Sequence, residues 1–392
     1  MDSRSLLFEP IEINGMKLKN RLVRSATYEA LATEDGKVTD QLVKVYTKLA
    51  RGGTGLIILG HAYVQRNGRA VPLQTGIHGD EHIAGLRTLV DEVHRLNTRI
   101  ATQIAHAGRL TTLDLTGGEV PLAPSAIKSD PPPREMTVEE IHETIDAFGE
   151  AARRTKEAGF DAVQLHAAHG YLLAQFLSPY TNRRTDEWGG NHENRMRFVI
   201  RVYERVRDFV GEDYPVLIKL SVDEGLKNGI TLDEACDTVK KLTKIGFDAI
   251  EISGGINRET GFLVCRGDVP IDIITFNMDP ERKEYIEEVL YSKRDRGRFE
   301  EAYWLSHAVR IKEVMGDVPL ILVGGMKYPQ TMERILKDNN ADLISLCRPL
   351  IREPDLPLQM AEGRKSPVKC SFCNRCIQVV IMAKPLRCYN LG

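Results

Sequence analysis

The sequence predicts an α/β chain: a (β/α)8 TIM barrel with a short C-terminal cysteine-rich extension. Three observations predict it. A weak internal repeat joins the end of a helix to the start of an apolar run. Eight apolar runs alternate with helical patterns. Connections leaving the runs are long, whereas those leaving the helices are short.

The repeat is read from Ala158-Gly159-Phe160-Asp161-Ala162-Val163-Gln164-Leu165, Ile245-Gly246-Phe247-Asp248-Ala249-Ile250-Glu251-Ile252 and Asn340-Ala341-Asp342-Leu343-Ile344-Ser345-Leu346. Gly52-Gly53-Thr54-Gly55-Leu56-Ile57-Ile58-Leu59 is a looser copy. In the three later copies a helix ends, a short turn follows and a strand starts, which is the α-to-β joint of a parallel sheet. Further strands are expected at Arg21–Ser25, Ile100–Ala105, Val216–Ser221 and Leu320–Val323. Eight strands then lie near 21, 55, 100, 161, 216, 248, 320 and 342.

Apolar residues three and four apart place helices at 39–51, 82–97, 137–158, 191–210, 231–245, 302–315 and 329–337. Thr137 and Glu140 form a capping box at the third. The long connections are 60–81, 106–136, 166–190 and 254–301, all leaving strands, so they build one rim. The last is charged and without periodicity. It is expected to be a lid, with a peripheral excursion as the alternative. Pro131-Pro132-Pro133 stiffens the second. The barrel is expected over 1–360 and the cysteine-rich segment over 361–392; two smaller α/β domains are the alternative.

At 42% hydrophobic and 28% charged, composition is that of a globular protein, and the net charge of −2 gives no reason to expect nucleic acid. No run of about 18 apolar residues suggests a membrane span, and MDSRSLLFEP has no signal-peptide character, so a cytoplasmic location is expected. Cys236, Cys265 and Cys347 are scattered, but Cys370, Cys373, Cys376 and Cys388 crowd the last 23 residues. Their Cys-x2-Cys-x2-Cys-x11-Cys spacing suits an iron–sulfur cluster. Zinc more often uses two separated pairs, and a site without metal is the third reading.

The stretch HAAHGYLLAQFLSPYTNRRTDEWGGNHENR, residues 166–195, follows a buried strand and opens with His166, His169 and Tyr171. The two imidazoles fit donors to a developing oxyanion with Tyr171 as proton donor, or else ligands of a metal-dependent hydrolase. Gly324-Gly325 after one strand and Arg348 after the next suit a phosphate. Lys219 interrupts an apolar strand; Gln103 and His106 sit on another strand and its exit.

These residues resemble the old yellow enzyme family of FMN oxidoreductases. The resemblance runs from Phe8-Glu9-Pro10 and Asn20-Arg21 through Gln103-Ile104-Ala105-His106-Ala107-Gly108-Arg109 and the 166–195 stretch to Gly324-Gly325 and Arg348-Pro349. The tail resembles the iron–sulfur segment of the branch that includes 2,4-dienoyl-CoA reductase and trimethylamine dehydrogenase.

The resemblance implies FMN held by Ser25, Ala26, Thr27, Gly60, Gln103, Lys219, Gly324, Gly325, Cys347 and Arg348. It implies that His166 and His169 polarise the carbonyl of an enone or acyl thioester, and that Tyr171 protonates the α carbon. NADH or NADPH would be the reductant. A 4Fe-4S cluster would sit on Cys370, Cys373, Cys376 and Cys388, and a homo-oligomer is expected. Tyr28 departs from the threonine or cysteine usual beside the flavin. The chain stops at Gly392, without the further FAD and nicotinamide region of dienoyl-CoA reductase. The expectation is that either a separate electron-donor subunit feeds the cluster, or NAD(P)H reduces FMN directly and the cysteine site is mainly structural. The 254–301 loop, with Arg258, Arg266 and Asp268, is expected to choose the substrate.

Overall fold

The computed structural model describes residues 5–276 and 278–390. Eight parallel strands close into a barrel. They are β1 (Leu22–Arg24), β2 (Leu56–Tyr63), β3 (Arg99–Ala105), β4 (Ala162–Ala167), β5 (Val216–Ser221), β6 (Ala249–Ser253), β7 (Leu320–Val323) and β8 (Leu343–Leu346). Each pairs with its neighbours in sequence, and β8 pairs with β1. Around them lie α1 (Asp40–Arg51), α2 (Ile83–His94), α3 (Val138–Glu157), α4 (His192–Val210), α5 (Leu232–Ile245), α6 (Leu305–Lys312) and α7 (Pro329–Lys337). Two short helices, Arg348–Arg352 and Leu356–Ala361, follow β8.

Local chemistry starts these helices where the pattern predicts. Thr39, Asn191 and Thr231 accept a backbone N–H at the N-termini of α1, α4 and α5. Thr137 and Glu140 make the reciprocal capping box of α3. One difference lies in the first long loop. β2 continues to Tyr63, all of it buried, so the loop begins at 64 rather than 60.

The repeated aspartate explains the α-to-β joints. Asp161 accepts the N–H of Ile100, Asp248 that of Val216, and Asp342 that of Leu320, at 2.7–2.8 Å. Each therefore caps the strand before its own. Each also faces a cation: Arg99, Arg207 and Lys312 respectively. The rim away from the long loops is thus pinned by one device used three times.

Side chains inside the barrel alternate in layers, because successive strand residues face opposite sides. The lowest layer is apolar: Val23, Leu56, Ile58, Ala101, Ala162, Leu217, Ala249, Ile321 and Leu343. A hairpin, Ile11–Ile13 with Met16–Leu18, plugs the same cluster from below. Two residues further along five of these strands stand Gln103, Gln164, Lys219, Glu251 and Ser345, all buried. The barrel changes from apolar to polar within one step of the pleat, and the polar step faces the long loops.

The 254–301 segment is not featureless. It holds short helices Gly261–Val264 and Ile271–Ile274, and the longer Pro280–Lys293. Charges spread around the longer helix, so it lacks the apolar stripe that periodicity detects. Asn277 lies outside the described residues, as do Leu391 and Gly392 of the tail. The tail folds back over the long-loop rim. Leu386 donates its N–H to the Glu29 carbonyl, and Cys376, Val380 and Leu386 pack on Ala30.

If the aspartate joints pin the rim, Asp248→Ala should cost about 3 kcal/mol, because Arg207 and the Val216 N–H lose a largely buried partner. Thermal unfolding checks this; an unchanged midpoint would remove the joint from the account of stability.

Candidate active site

The polar layer is a connected network. Lys219 on β5 donates to Ser25 Oγ at 2.7 Å and lies 3.3 Å from Glu251 Oε1 on β6. Ser25 and Ser345 donate to that same oxygen at 2.7 and 2.9 Å. Gln164 on β4 donates to the other carboxylate oxygen at 3.0 Å and accepts from Gln103 on β3 at 2.7 Å. The Glu251 side chain is wholly buried. A buried carboxylate is tolerable only when paired and fully hydrogen-bonded, and here it has an ammonium, two hydroxyls and an amide.

Above this layer a cavity opens at the long-loop rim. Ser25, Ala26, Thr27, Gln103, Lys219, Gly324, Gly325, Cys347 and Arg348 all line it, together with His166, His169 and Tyr171. Gly60 does not join them. A Cβ there would meet the Thr27 carbonyl at 2.3 Å, so Gly60 packs behind Thr27 and supports that wall. His106 sits one loop away, its Nδ1 accepting the N–H of Gly108.

Gly324 and Gly325 have φ of +119° and +68°. Side chains there would strike Tyr303, Trp304 and the Glu300 carbonyl, so only glycine lets this turn pass so close to residues 300–304. The 254–301 segment contributes Asn257, Val264 and Cys265 to the lining.

His166 and His169 are neighbours with ring centroids 5.3 Å apart. Nε2 of His169 lies 2.7 Å from Ser253 Oγ, and its backbone N–H donates to Ser221 Oγ. Its φ is +61°, a left-handed conformation that a bulky residue adopts only when held. Nδ1 of His166 is buried without a hydrogen-bond partner. The Tyr171 ring lies 4.6 Å from that of His166, and its hydroxyl is 3.1 Å from His61 Nε2.

Burial sets the protonation of this group. Desolvation holds His166 and His169 well below the usual imidazole range, helped by neighbouring His61 and Lys219. It lowers His61 to about 4 and raises the Tyr171 phenol above its ordinary value. At neutral pH the imidazoles are therefore uncharged and the phenol keeps its proton. The arrangement offers neutral N–H donors and one O–H acid over a cationic floor. Among the described residues, no group of three metal-ligating side chains gathers around His166 and His169, which disfavours the hydrolase reading.

Residue-by-residue reading missed His61, Gln164, Glu251 and Ser253. A signal for two of them was present. Gln164 and Glu251 occupy the same place in the repeat, the one Ser345 fills in its last copy.

The four tail cysteines line one further cavity with Arg348 and Arg352. Arg352 Nη1 donates to Cys388 Sγ at 3.7 Å. No three of these sulfurs lie within 4.8 Å of one another. One zinc ion, with Zn–S of about 2.3 Å, would gather thiolates to roughly 3.8 Å. Arg348 lines both cavities, and Phe372 of the tail lines the first, so the two are adjacent.

The family model described as the NADH:flavin oxidoreductase / NADH oxidase family matches residues 6–256 and 272–366. An NADH oxidase of Thermoanaerobacter brockii is 36% identical over 373 residues, covering 94% of this chain and 52% of that protein. An NADPH dehydrogenase of Geobacillus sp. (strain WCH70) is 35% identical over 371 residues, covering 94% of this chain and 97% of that protein. A solved complex of 2-naphthoyl-CoA reductase with 2-naphthoyl-CoA superposes with a TM-score of 0.85 at 28% identity, over 98% of this chain and 56% of that one. The chain spans about half the length of the first curated relatives it matches, 52% and 53%.

The buried neutral imidazoles predict acid sensitivity. Their folded-state pKa values are depressed, about 4 for His61 and about 3 for His106. Their contribution to stability is present above the unfolded value near 6.5 and is lost as pH falls through the folded values. Each should cost roughly 1.4 kcal/mol per pH unit across that window. Melting temperatures between pH 7 and pH 4 check this; a flat profile would contradict it.

Proposed function

Because this chain belongs to the NADH:flavin oxidoreductase / NADH oxidase family, we propose that it is an FMN-dependent ene-reductase. It would move hydride from NADH or NADPH to the C=C bond of an α,β-unsaturated carbonyl or acyl thioester. The observation that carries this is the buried, uncharged His166–His169 pair beside a protonated Tyr171 in one cavity.

The residues present fit FMN. His166 Nδ1 is an orphaned buried polar atom on the cavity wall, and Gly324-Gly325 makes a cradle that any Cβ would disturb. Arg348 and that turn would hold the phosphate. Lys219, fixed by Glu251 and Ser25, would face the electron-rich edge of the ring, and Gln103 its pyrimidine edge. Ser25, Ala26, Thr27 and Cys347 would line the remainder. FMN, when bound, supplies the hydride chemistry, accepting from the nicotinamide and delivering to the substrate's β carbon.

The chain's own residues do the rest. His166 and His169 donate N–H to the substrate carbonyl oxygen, where negative charge develops. In a water-poor site such donors act strongly and need no reorganisation. Ser253 fixes the His169 ring in place. Tyr171 gives its proton to the α carbon, and burial keeps that proton on the phenol until then. An acyl thioester draws support from the 2-naphthoyl-CoA complex. The 254–301 segment, through Asn257, Val264 and Cys265, would act as the lid that selects among substrates.

We further propose a 4Fe-4S cluster on Cys370, Cys373, Cys376 and Cys388. The shared cavity, the Cys-x2-Cys-x2-Cys-x11-Cys spacing and the Arg352–Cys388 contact support it. Adjacency of the two cavities favours a second reading, in which the cluster wires FMN to an electron-donor partner. Seven unpaired cysteines suit a reducing compartment, and we place the protein in the cytoplasm. Among the described residues no helix is long and apolar enough to cross a membrane.

Tyr171→Phe should lower enone reduction about 100-fold or more while NAD(P)H still reduces the flavin; unchanged turnover would end the assigned role. Anaerobic mixing with NADH or NADPH alone should bleach the flavin. Bleaching only after a partner fraction is added would favour the electron-transfer reading. Iron and sulfide analysis of the same sample should give a filled cluster; flavin without iron would remove it.

A further inference from the structure

The loop between β2 and α2 carries a second cluster that the proposed chemistry does not use. His78, Glu81 and His82 bring ligand atoms within 4.8 Å of one another. Nε2 of His78 lies 3.9 Å, and Nε2 of His82 3.8 Å, from Oε1 of Glu81. All four ring nitrogens of the two histidines are buried, and none has a hydrogen-bond partner. The His82 side chain is only 1% exposed. Buried polar atoms are nearly always paired, so two adjacent imidazoles with every nitrogen idle need a ligand to explain them.

The surrounding chain is shaped to hold these groups. A Cβ on Gly79 would meet the Glu81 carboxylate at 2.1 Å, so glycine lets that carboxylate fold back over the loop. A Cβ on Gly76 would meet His82 Cε1 at 2.8 Å. Tyr63, at the end of β2, stacks on His78 with ring centroids 4.9 Å apart. His78 opens onto a surface groove whose walls carry Glu119, Glu143, Asp146 and Glu150 against Arg66 and Arg154. Arg154 is already paired with Asp80 and Glu150. Among the groove's carboxylates, Glu150 is paired with Arg153 and Arg154, and Asp146 with Arg205.

We propose that His78, Glu81 and His82 bind a divalent first-row transition ion of the zinc class, with the remaining position open to solvent in the groove. Two imidazoles and one carboxylate match the borderline softness of such ions, and not the all-oxygen preference of calcium or magnesium. Tetrahedral bonds of about 2.0–2.2 Å would set the ligand atoms roughly 3.3 Å apart. The two distances to Glu81 are 3.8 and 3.9 Å, and the ligand atoms of the two histidines lie within 4.8 Å of each other, so the set closes on an ion by side-chain rotation. The ion would cross-link the loop after β2 from His78 to His82, the residue at the N-cap of α2. The inference rests on no part of the flavin reading.

The test uses the full chain, purified anaerobically with its flavin and native tail. Zn2+ is titrated in competition with a chromophoric chelator, alongside His78→Gln and Glu81→Gln. Wild type should take up one Zn2+ per chain beyond any metal held by the tail. Each variant should weaken that uptake at least tenfold and abolish the rise in melting temperature that Zn2+ gives wild type. Flavin content and enone reduction should not change in either. Glu81 is half exposed, so Glu81→Gln carries the test should His78→Gln fold poorly. No uptake outside the tail in wild type, or wild-type uptake by Glu81→Gln, overturns the proposal.

Discussion

One buried ion pair organises the interior of this barrel. Lys219 and Glu251 stand side by side at the cavity floor, the lysine 5% exposed and the glutamate not at all, and neither is tolerable there alone. Ser25, Gln103, Gln164 and Ser345 complete the carboxylate's shell directly or through one amide. The network draws on five of the eight strands and on Ser25, the residue just past β1, so the register of all of them must be right at once. The same pair leaves an ammonium at the cavity floor with its direction fixed. Stability and chemistry therefore share one set of side chains. Beneath it, the apolar layer and the hairpin plug keep water from below.

The mouth of the barrel works by the opposite electrostatic choice. There the titratable groups are kept neutral by burial. A protonated imidazole would repel Lys219, while an ionised phenol would have no proton to give. The cavity thus places uncharged donors over one fixed positive charge, the combination that the proposed reaction needs where negative charge develops on the substrate.

Much of this was legible in the letters. The repeat at 160–165, 247–252 and 341–346 gives the joints of the barrel, and its aspartates turn out to cap neighbouring strands. Lys219 and Gln103 stood out because a polar residue in an apolar strand demands a reason. Glu251 and Gln164 did not stand out, since a parallel strand buried on both faces hides which residues point inward. Aligning the repeats would have exposed them, because the pleat makes equivalent positions face the same way. His61 was obscured because β2 runs past the glycine that seemed to end it. The 254–301 segment was opaque for a different reason: its longest helix distributes charge on every side, leaving no period to find.

The left-handed backbone of His169 has a consequence for how new specificities arise on this scaffold. That residue bridges to Ile256, and its carbonyl accepts the N–H of Asn257 at 3.0 Å. The first residues of the 254–301 segment are therefore bolted to the backbone of His169, the proposed oxyanion donor. Recombination or loop grafting that exchanges the segment from Gly254 onward would have to rebuild that bolt to keep His169 in place. An exchange that starts after Asn257 would leave it in place. The seam along which this scaffold can be re-tailored thus lies a few residues inside the loop, not at the end of the strand.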